Sequence, residues 1–323
     1  MRPDSATSVA VVMTCYNEGA YIGEAVRSVL DQTRADLVDR IVIADDGSGA
    51  ETVEVLKDIE SWDPRIRVIY GSGGAGLPAQ RNRALQEVAS PFFAILDGDD
   101  LWISDKLELQ VPAIVSDPEI GLVYSDYFTF PDHDLTAARR AGVLDLSMSR
   151  NLTRDYFLND PPIIPSTTLI RRSAFDACGG FDAAIRVFED TDFYLRLAKR
   201  YRFAVVDKPL LYKRNRGTSI TGGRKDLMAH HAFVALKAAA EEPGLLPLVA
   251  KRLSERARKL ANQRFLLGDE EGAARLSRFA TQLDPFNWRA WGSRVMAGRW
   301  ARPARKLMSS RLKSRRAALQ ARN

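Results

Sequence analysis

The sequence predicts an α/β fold: a doubly wound, mostly parallel sheet followed by a helical extension. Three observations carry that prediction. Short β-rich runs alternate with amphipathic stretches through the first 125 residues, polar or glycine-rich clusters follow the first four runs, and from Lys225 onward the pattern is helical.

In chain order, 9–13, 40–44, 66–70, 92–96 and 121–124 read as strands, with helices over 19–32, 51–60, 79–89 and 104–117. In the first helix Ile22, Ala25, Val26, Val29 and Leu30 recur at helical spacing, an apolar stripe that needs a sheet to cover it. Four β-then-α units in succession imply parallel pairing, because each crossover helix returns the chain to the same end of the sheet. Residues 126–165 lack periodicity and carry Pro131, Pro161, Pro162 and Pro165, which reads as a long mobile connection. Beyond it, 167–170 and 203–206 resemble strands with a helix over 191–200 between them. A boundary is expected at Gly222-Gly223, giving an α/β domain over 1–222, a helical extension over 223–293 and a basic tail over 294–323.

Composition narrows the class. The 323 residues are 46% hydrophobic and 27% charged, enough apolar mass for a core, and no apolar run approaches the roughly 20 residues that a membrane helix needs. Two cysteines, Cys15 and Cys178, make neither a disulfide framework nor a metal cluster, which points to a reducing, cytoplasmic setting. The net charge of +6 is unevenly held. Residues 285–323 contain eleven Lys/Arg and no Asp or Glu, leaving 36 basic against 41 acidic residues ahead of them. A mildly acidic body argues against nucleic acid as a partner.

Ligands of a doubly wound sheet sit at the carboxyl ends of its strands. Those ends carry Thr14-Cys15-Tyr16-Asn17-Glu18-Gly19, Asp45-Asp46-Gly47-Ser48, a glycine-rich loop from Gly71 to Gly76, and Asp97-Gly98-Asp99-Asp100. Asp, Ser and Gly are ordinary cap and turn residues, and for Asp45-Asp46-Gly47-Ser48 that explanation competes evenly with ligand binding. It fails for Asp97-Gly98-Asp99-Asp100. Three carboxylates within four residues repel one another, and a divalent cation completed by phosphate oxygens would relieve the repulsion. The loop Gly71-Ser72-Gly73-Gly74-Ala75-Gly76 formally matches a dinucleotide fingerprint, with Asp97 lying 21 residues beyond it. It follows the third strand instead of the first, and Leu77-Pro78 stands between it and the expected helix start, so a nicotinamide site is not expected. No P-loop pattern occurs.

Together these segments resemble the inverting family 2 glycosyltransferases of the GT-A fold. The carrying residues are Val11-Val12-Met13-Thr14-Cys15-Tyr16-Asn17-Glu18, Ser28-Val29-Leu30-Asp31-Gln32-Thr33, Ile43-Ala44-Asp45-Asp46-Gly47-Ser48 and Gln80-Arg81-Asn82. The strongest is Ile95-Leu96-Asp97-Gly98-Asp99-Asp100 with Trp102, Lys106 and Leu107, and Gly179-Gly180-Phe181-Asp182 and Glu189-Asp190-Thr191-Asp192 follow. The resemblance covers about residues 8–221. It implies that Thr14, Tyr16, Glu18, Asp45, Asp46 and Arg81 hold the base and ribose of a nucleotide, with Asp97 close by. It further implies Mn or Mg on Asp97 and Asp99, bridging the donor's diphosphate, and Asp190 as general base beside Glu189. The chemistry agrees: a single in-line displacement needs a base for the acceptor hydroxyl and positive charge at the departing diphosphate. Acids opening a helix at Glu189 also suit the helix dipole, so both roles can hold at once. Tyr212-Lys213-Arg214-Asn215-Arg216 resembles the family's closing basic loop, which makes Arg214 and Arg216 diphosphate candidates, although Asn215 stands where many relatives carry His. His133, His230 and His231 read as non-catalytic.

The expected activity is transfer of a sugar from a UDP-, GDP- or dTDP-linked donor to a cell-envelope, polysaccharide or lipid-linked acceptor. The alternatives are a nucleotidyltransferase, which would release pyrophosphate, and a catalytically silent binding module of an envelope-assembly complex. In the extension, Leu266-Leu267-Gly268-Asp269 and Asp284-Pro285-Phe286-Asn287 look like one tetratricopeptide-type hairpin. In the tail, Ala304, Leu307, Met308 and Leu312 share a face of a candidate helix among basic residues, which suits an anionic membrane surface and a peripheral position on the inner face of the plasma membrane.

Overall fold

Seven consecutive buried residues, β1 (Val9–Cys15), run through a nine-stranded sheet in the computed structural model, which describes residues 6–216 and 227–297. A strand buried on both faces needs cover on both. On one face Val9, Val11 and Met13 share a core with Ile22, Ala25, Val26 and Val29 of α1 (Ile22–Leu30), the stripe legible in the sequence. β2 (Val38–Asp45) and β4 (Phe92–Asp97) flank β1 in parallel, and β3 (Ile66–Tyr70) extends the parallel half beyond β2. The connecting helices are α2 (Ala50–Glu60) and α3 (Leu77–Gln86), and the two-residue β5 (Leu101–Trp102) precedes α4 (Lys106–Val115).

Past β4 the pairing changes. The order is β3-β2-β1-β4-β8-β6-β9-β5, where β6 is Ile120–Pro131, β8 is Leu169–Arg171 and β9 is Arg202–Asn215. β8 runs antiparallel between β4 and β6, whereas the long β6–β9 pairing is parallel. β5 closes antiparallel on β9, and β7 (Arg139–Arg140) lies antiparallel on β6. The fold is thus a mixed, mostly parallel sheet, as expected, with helices α5 (Leu152–Asn159), α6 (Arg172–Ala177) and α7 (Glu189–Ala198) completing it.

Two expectations need correction. Residues 126–165 are not a loose connection. β6 continues to Pro131, α5 is capped by the Asn151 side chain accepting from the Arg154 N–H, and Tyr124 Oη bonds both the Leu144 carbonyl (2.6 Å) and the Leu146 N–H (2.9 Å). Single side-chain anchors of this kind leave no periodicity to read. β9 is also far longer than the 203–206 expected, because Asp207, Lys208 and Pro209 disguise it. Pro209 pairs with Asp126 where the register shifts, the kind of place a strand tolerates a missing N–H.

The chain divides into two compact units, Met1–Ile220 and Thr221–Asn323. The second holds α8 (Met228–Glu241), α9 (Val249–Leu266), α10 (Glu270–Leu283) and α11 (Trp288–Ala297). Gly268 (φ 77°) turns α9 into α10, whose first turn is capped by Asp269 accepting from the Gly272 N–H at 2.9 Å. Fully buried Ala257, Ala280 and Ala290 allow close approach of α9, α10 and α11. His231 is buried in the first turn of α8. The expected boundary at Gly222-Gly223 and the amphipathic tail helix lie outside the described residues.

Candidate active site

Strand register brings the sequence-distant acids together. Thr14 on β1 pairs with Asp97 on β4, Cys15 pairs with Asp45 on β2, and Asp45 pairs with Tyr70 on β3, so one edge of the sheet carries them side by side. The loops after β1 and β2 are stitched: the Asp46 N–H donates to the Cys15 carbonyl (2.9 Å), the Asn17 N–H to Ser48 Oγ (2.8 Å), and the Gly49 N–H to Asn17 Oδ1 (2.9 Å). Gly47 (φ 77°) lies so close to the glycine-rich loop that a Cβ there would stand 2.6 Å from Gly73 Cα.

Much of Asp45-Asp46-Gly47-Ser48 builds this shelf. Buried Asp45 accepts from the Gly47 and Ser48 N–H groups through Oδ2, both at 3.1 Å, while its buried Oδ1 has no hydrogen-bond partner. Asp46 accepts from the Ala75 N–H (3.1 Å), the Gly76 N–H (3.0 Å) and Gln80 Nε2 (2.8 Å). A dinucleotide site on that loop is therefore disfavoured for a reason other than the one expected. α3 does open at Leu77, directly after Gly76, but the loop amides that would meet a pyrophosphate are spent on Asp46. Tyr16 is 61% exposed beside the shelf, and Thr14 is buried at the end of β1.

Each carboxylate of Asp97-Gly98-Asp99-Asp100 faces a different cation. Asp97 Oδ1 accepts from Arg81 Nη2 at 2.7 Å, and Arg81 Nη1 donates to Glu189 Oε1 at 2.5 Å. Arg81 was expected at the nucleotide base; it is instead wholly buried, joining the end of β4 to the start of α7. Asp99 Oδ2 pairs with Arg216 Nε (2.6 Å), whose Nη2 reaches Glu18 Oε1 (2.5 Å). Fully buried Asp100 accepts the Arg214 N–H at 3.0 Å, and Lys213 exerts the largest cationic pull on it. Burial, with Asp99 alongside, pushes the Glu18 carboxyl up to about 7. Burial also pushes Asp100 up to about 7 against the pull of Lys213, and raises Asp99 with help from Asp97. Gly98 allows this crowding: a Cβ there would stand 2.5 Å from Glu18 Oε2. Among the described residues no group of three or more His, Cys, Asp or Glu is arranged to hold a metal.

Glu189 and Asp190 open α7 after Phe188, which takes the left-handed conformation (φ 67°). Burial lifts the Glu189 carboxyl to about 7 despite Arg81. Burial also raises Asp190, Arg81 opposes the rise, and Asp97 adds to it. Asp190 Oδ1 accepts the Thr191 N–H at 2.7 Å. Asp192 serves differently: it pairs with Arg196 (2.8 Å), whose Nη2 also donates to the Gly180 carbonyl (2.7 Å). Asn82 exchanges two hydrogen bonds with the Phe181 backbone (2.7 and 3.1 Å), clamping α3 to the same turn.

Arg214, expected in a loop at the diphosphate, lies within β9 and is buried. It pairs with Glu24 (2.7 Å), donates to the Asp99 carbonyl (2.9 Å) and stacks near Tyr21 (4.9 Å), which makes it a strut. Arg216 is the better placed of the two for a ligand. Sequence reasoning missed Ser166, whose Oγ accepts the Asp97 N–H at 3.1 Å and whose carbonyl accepts Trp102 Nε1 at 3.0 Å. It lies in the aperiodic stretch, where no pattern marks it. Beneath it the fully buried Lys106 bonds Gln110 and the carbonyls of Thr167 and Thr168, and burial pushes its pKa well down. A pocket of about 230 Å³ lined by Leu146, Arg150, Arg202 and Phe203 lies at the other end of β9, away from these acids.

The family model described as glycosyl transferase family 2 matches residues 10–179, which span β1 to the turn after α6 and include Asp45, Asp97 and Asp99. The chain belongs to glycosyl transferase family 2. It is 36% identical over 129 residues to the putative teichuronic acid biosynthesis glycosyltransferase TuaG of Bacillus subtilis, covering 40% of this chain and 48% of that protein. It is 34% identical over 119 residues to the Escherichia coli UDP-Glc:alpha-D-GlcNAc-diphosphoundecaprenol beta-1,3-glucosyltransferase WfgD, covering 37% and 45%. The match thus spans about half the length of these two relatives. Among solved structures the family 2 chain resembles S. aureus TarS 1-349 in complex with UDP-GlcNAc, with a TM-score of 0.58, 16% identity and 90% of each chain covered. It also resembles mannosyltransferase PcManGT from Pyrobaculum calidifontis in complex with GDP-Man and Mn2+, with a TM-score of 0.57, 16% identity, and 96% and 86% covered. At that identity the two structures speak for the fold.

Proposed function

We propose that this chain is an inverting glycosyltransferase that moves a sugar from a nucleoside-diphosphate donor to a saccharide or lipid-linked acceptor of the cell envelope. One observation carries the reading: a single buried guanidinium, Arg81, holds both Asp97 and Glu189, so the diphosphate end and Glu189, the neighbour of the proposed base Asp190, share one site. Thr14, Tyr16, Glu18 and the buried, unpartnered Oδ1 of Asp45 would line the nucleotide's place. Asp97 and Asp99 fit a hard divalent cation, Mn or Mg, because the donors are all oxygen and the corner holds more carboxylate than its resident cations satisfy, as the raised Glu18 and Asp99 report. Such a cation, when bound, supplies neutralisation of the departing diphosphate.

The remaining work belongs to side chains. Asp190, oriented by the Thr191 N–H, takes the acceptor hydroxyl proton on its other oxygen, and its raised pKa makes it a better acceptor. Glu189 is fixed by Arg81 and positions the pair. Arg216 turns from Asp99 toward the diphosphate when donor is present. The names of TuaG and WfgD, with their teichuronic acid and diphosphoundecaprenol, support an envelope acceptor, and with the basic tail they support a cytoplasmic protein peripheral on the inner membrane face. No helix among the described residues is long and apolar enough to cross a membrane.

A transfer assay tests this. Turnover should release nucleoside diphosphate and give a product of inverted anomeric configuration. Asp190→Asn should lower turnover by about 10²- to 10⁴-fold with donor affinity retained. Pyrophosphate release, or full turnover in Asp190→Asn, would contradict it.

A further inference from the structure

The second unit carries an aromatic face that its own core does not use. In α11, Trp288, Trp291 and Val295 recur at i, i+3 and i+7, which places them on one side of the helix, and they are 75%, 44% and 64% exposed. Phe286, in the turn before it, is 93% exposed. The opposite side is finished: Ala290 is fully buried against Ala257 and Ala280. Ser293 and Arg294 tie the helix to Asn262 and Thr281, and Trp291 Nε1 donates to the Pro285 carbonyl, yet the Trp288 and Trp291 rings stay outward, and contiguous apolar exposure of this kind marks an interaction surface.

The chemistry beside that face selects the occupant. The Arg289 guanidinium lies 5.4 Å from the Trp288 ring, and that of Arg294 lies 4.9 Å from the Trp291 ring, so cations rim the aromatics. The sequence then continues over 298–323 with nine Lys/Arg and no acid. Tryptophan bodies in the acyl–headgroup boundary, ringed by cations, fit the surface of an anionic bilayer. An acidic protein partner would answer the charge but would leave two outward tryptophans unmatched.

We propose that Phe286, Trp288, Trp291 and Val295 form a membrane-insertion face that docks the second unit on anionic lipid, presenting the chain to membrane-held acceptors. The inference rests on the peripheral, envelope-directed reading above, but it assigns the anchoring to described residues of α11 in addition to the charge of the tail.

The test uses the full chain in vesicle flotation, with phosphatidylcholine vesicles either alone or containing 30% phosphatidylglycerol, at physiological and at raised salt. Wild type should float with the anionic vesicles, keeping part of its binding at raised salt, and show a blue-shifted tryptophan emission. Trp288→Ala/Trp291→Ala should reduce the bound fraction at least fivefold, and Trp288→Phe/Trp291→Phe should restore most of it. Both variants should keep wild-type far-UV circular dichroism and monomer mass. If the Ala variant misfolds, Trp288→Glu, at a largely exposed position, gives the same comparison. Undiminished flotation of the Ala variant, with binding lost on removal of 298–323, would overturn the insertion face while leaving the tail reading intact. Undiminished binding after that removal, with loss in the Ala variant, would do the reverse. Absence of any wild-type flotation would overturn both, and a change of oligomeric state in the Ala variant would reassign the face to contact between copies.

Discussion

Two arginines meet the same concentration of carboxylates in different ways. Arg81 is sealed between Asp97 and Glu189, so it is part of the floor, whereas Arg216 is only partly covered and bridges Asp99 and Glu18 at the rim. In the proposed function Arg216 would be the counter-ion that a divalent cation displaces. Both side chains of its pair with Asp99 are only 17% exposed, so the pairing is screened less than one at the open surface. Arg216→Ala should then tighten binding of Mn2+ alone by roughly fivefold. The same change should weaken donor binding in the presence of Mn2+ by about tenfold, through loss of a charge-assisted phosphate contact. Calorimetry reads both, and shifts of equal sign would remove Arg216 from one of its two roles. The aspartates of this site were legible in the sequence because like charges crowded at a strand end have few structural uses. The roles of Arg81 and Arg214 were not, since nothing local to either residue tells a ligand-facing guanidinium from a buried strut.

Among the elements, the parallel half of the sheet was legible, because its strands are short apolar runs and its helices keep a 3.6-residue stripe. β9 and α5 were not. A strand interrupted by Asp207, Lys208 and Pro209 reads as a turn, and α5 owes its place to the Asn151 cap and to the aromatic contacts of Tyr156 with Tyr194 and Phe203. The loops that shape the nucleotide shelf depend on backbone approach more than on side chains. Gly47→Ala adds a Cβ at φ 77° that would meet Gly73 Cα at 2.6 Å. It should destabilise the first unit by roughly 1–3 kcal/mol and weaken donor binding, read by thermal denaturation and calorimetry together. Gly74→Ala, also at positive φ but with nothing within 4 Å of the added Cβ, supplies the control. It should cost less stability, and an equal loss in both would show that conformation, not loop contact, governs the site.

For the whole molecule, the two units carry opposite proton linkage. Glu18, Asp100 and Glu189 hold their protons up to about pH 7 in the folded first unit, well above their ordinary values of 4.5, 3.8 and 4.5. Buried Lys106, with its lowered pKa, works the other way, but the three carboxyls outnumber it, so the folded state binds more protons than the unfolded one across that window and its stability falls as pH rises through it. His231 in the second unit is pushed down to about 3 by burial, with Arg252 adding to the effect. There the unfolded chain gains the proton below its ordinary value, so stability is lost as pH falls, by roughly 2 kcal/mol at pH 5. Between pH 7 and pH 5, calorimetry of the donor-free chain should show one transition rising and another falling, and His231→Leu should abolish the fall. Movement of both in one direction would refute the assignment. In the proposed function Asp97 and Asp99 join a divalent cation to a nucleotide-sugar diphosphate at the carboxyl ends of the parallel strands. Its most direct test is calorimetric binding of a nucleotide-sugar panel, with and without Mn2+ or Mg2+, to wild type and Asp99→Ala. Metal-dependent binding of one donor, lost in folded Asp99→Ala, is the expected result; binding that ignores both the metal and Asp99 would contradict it.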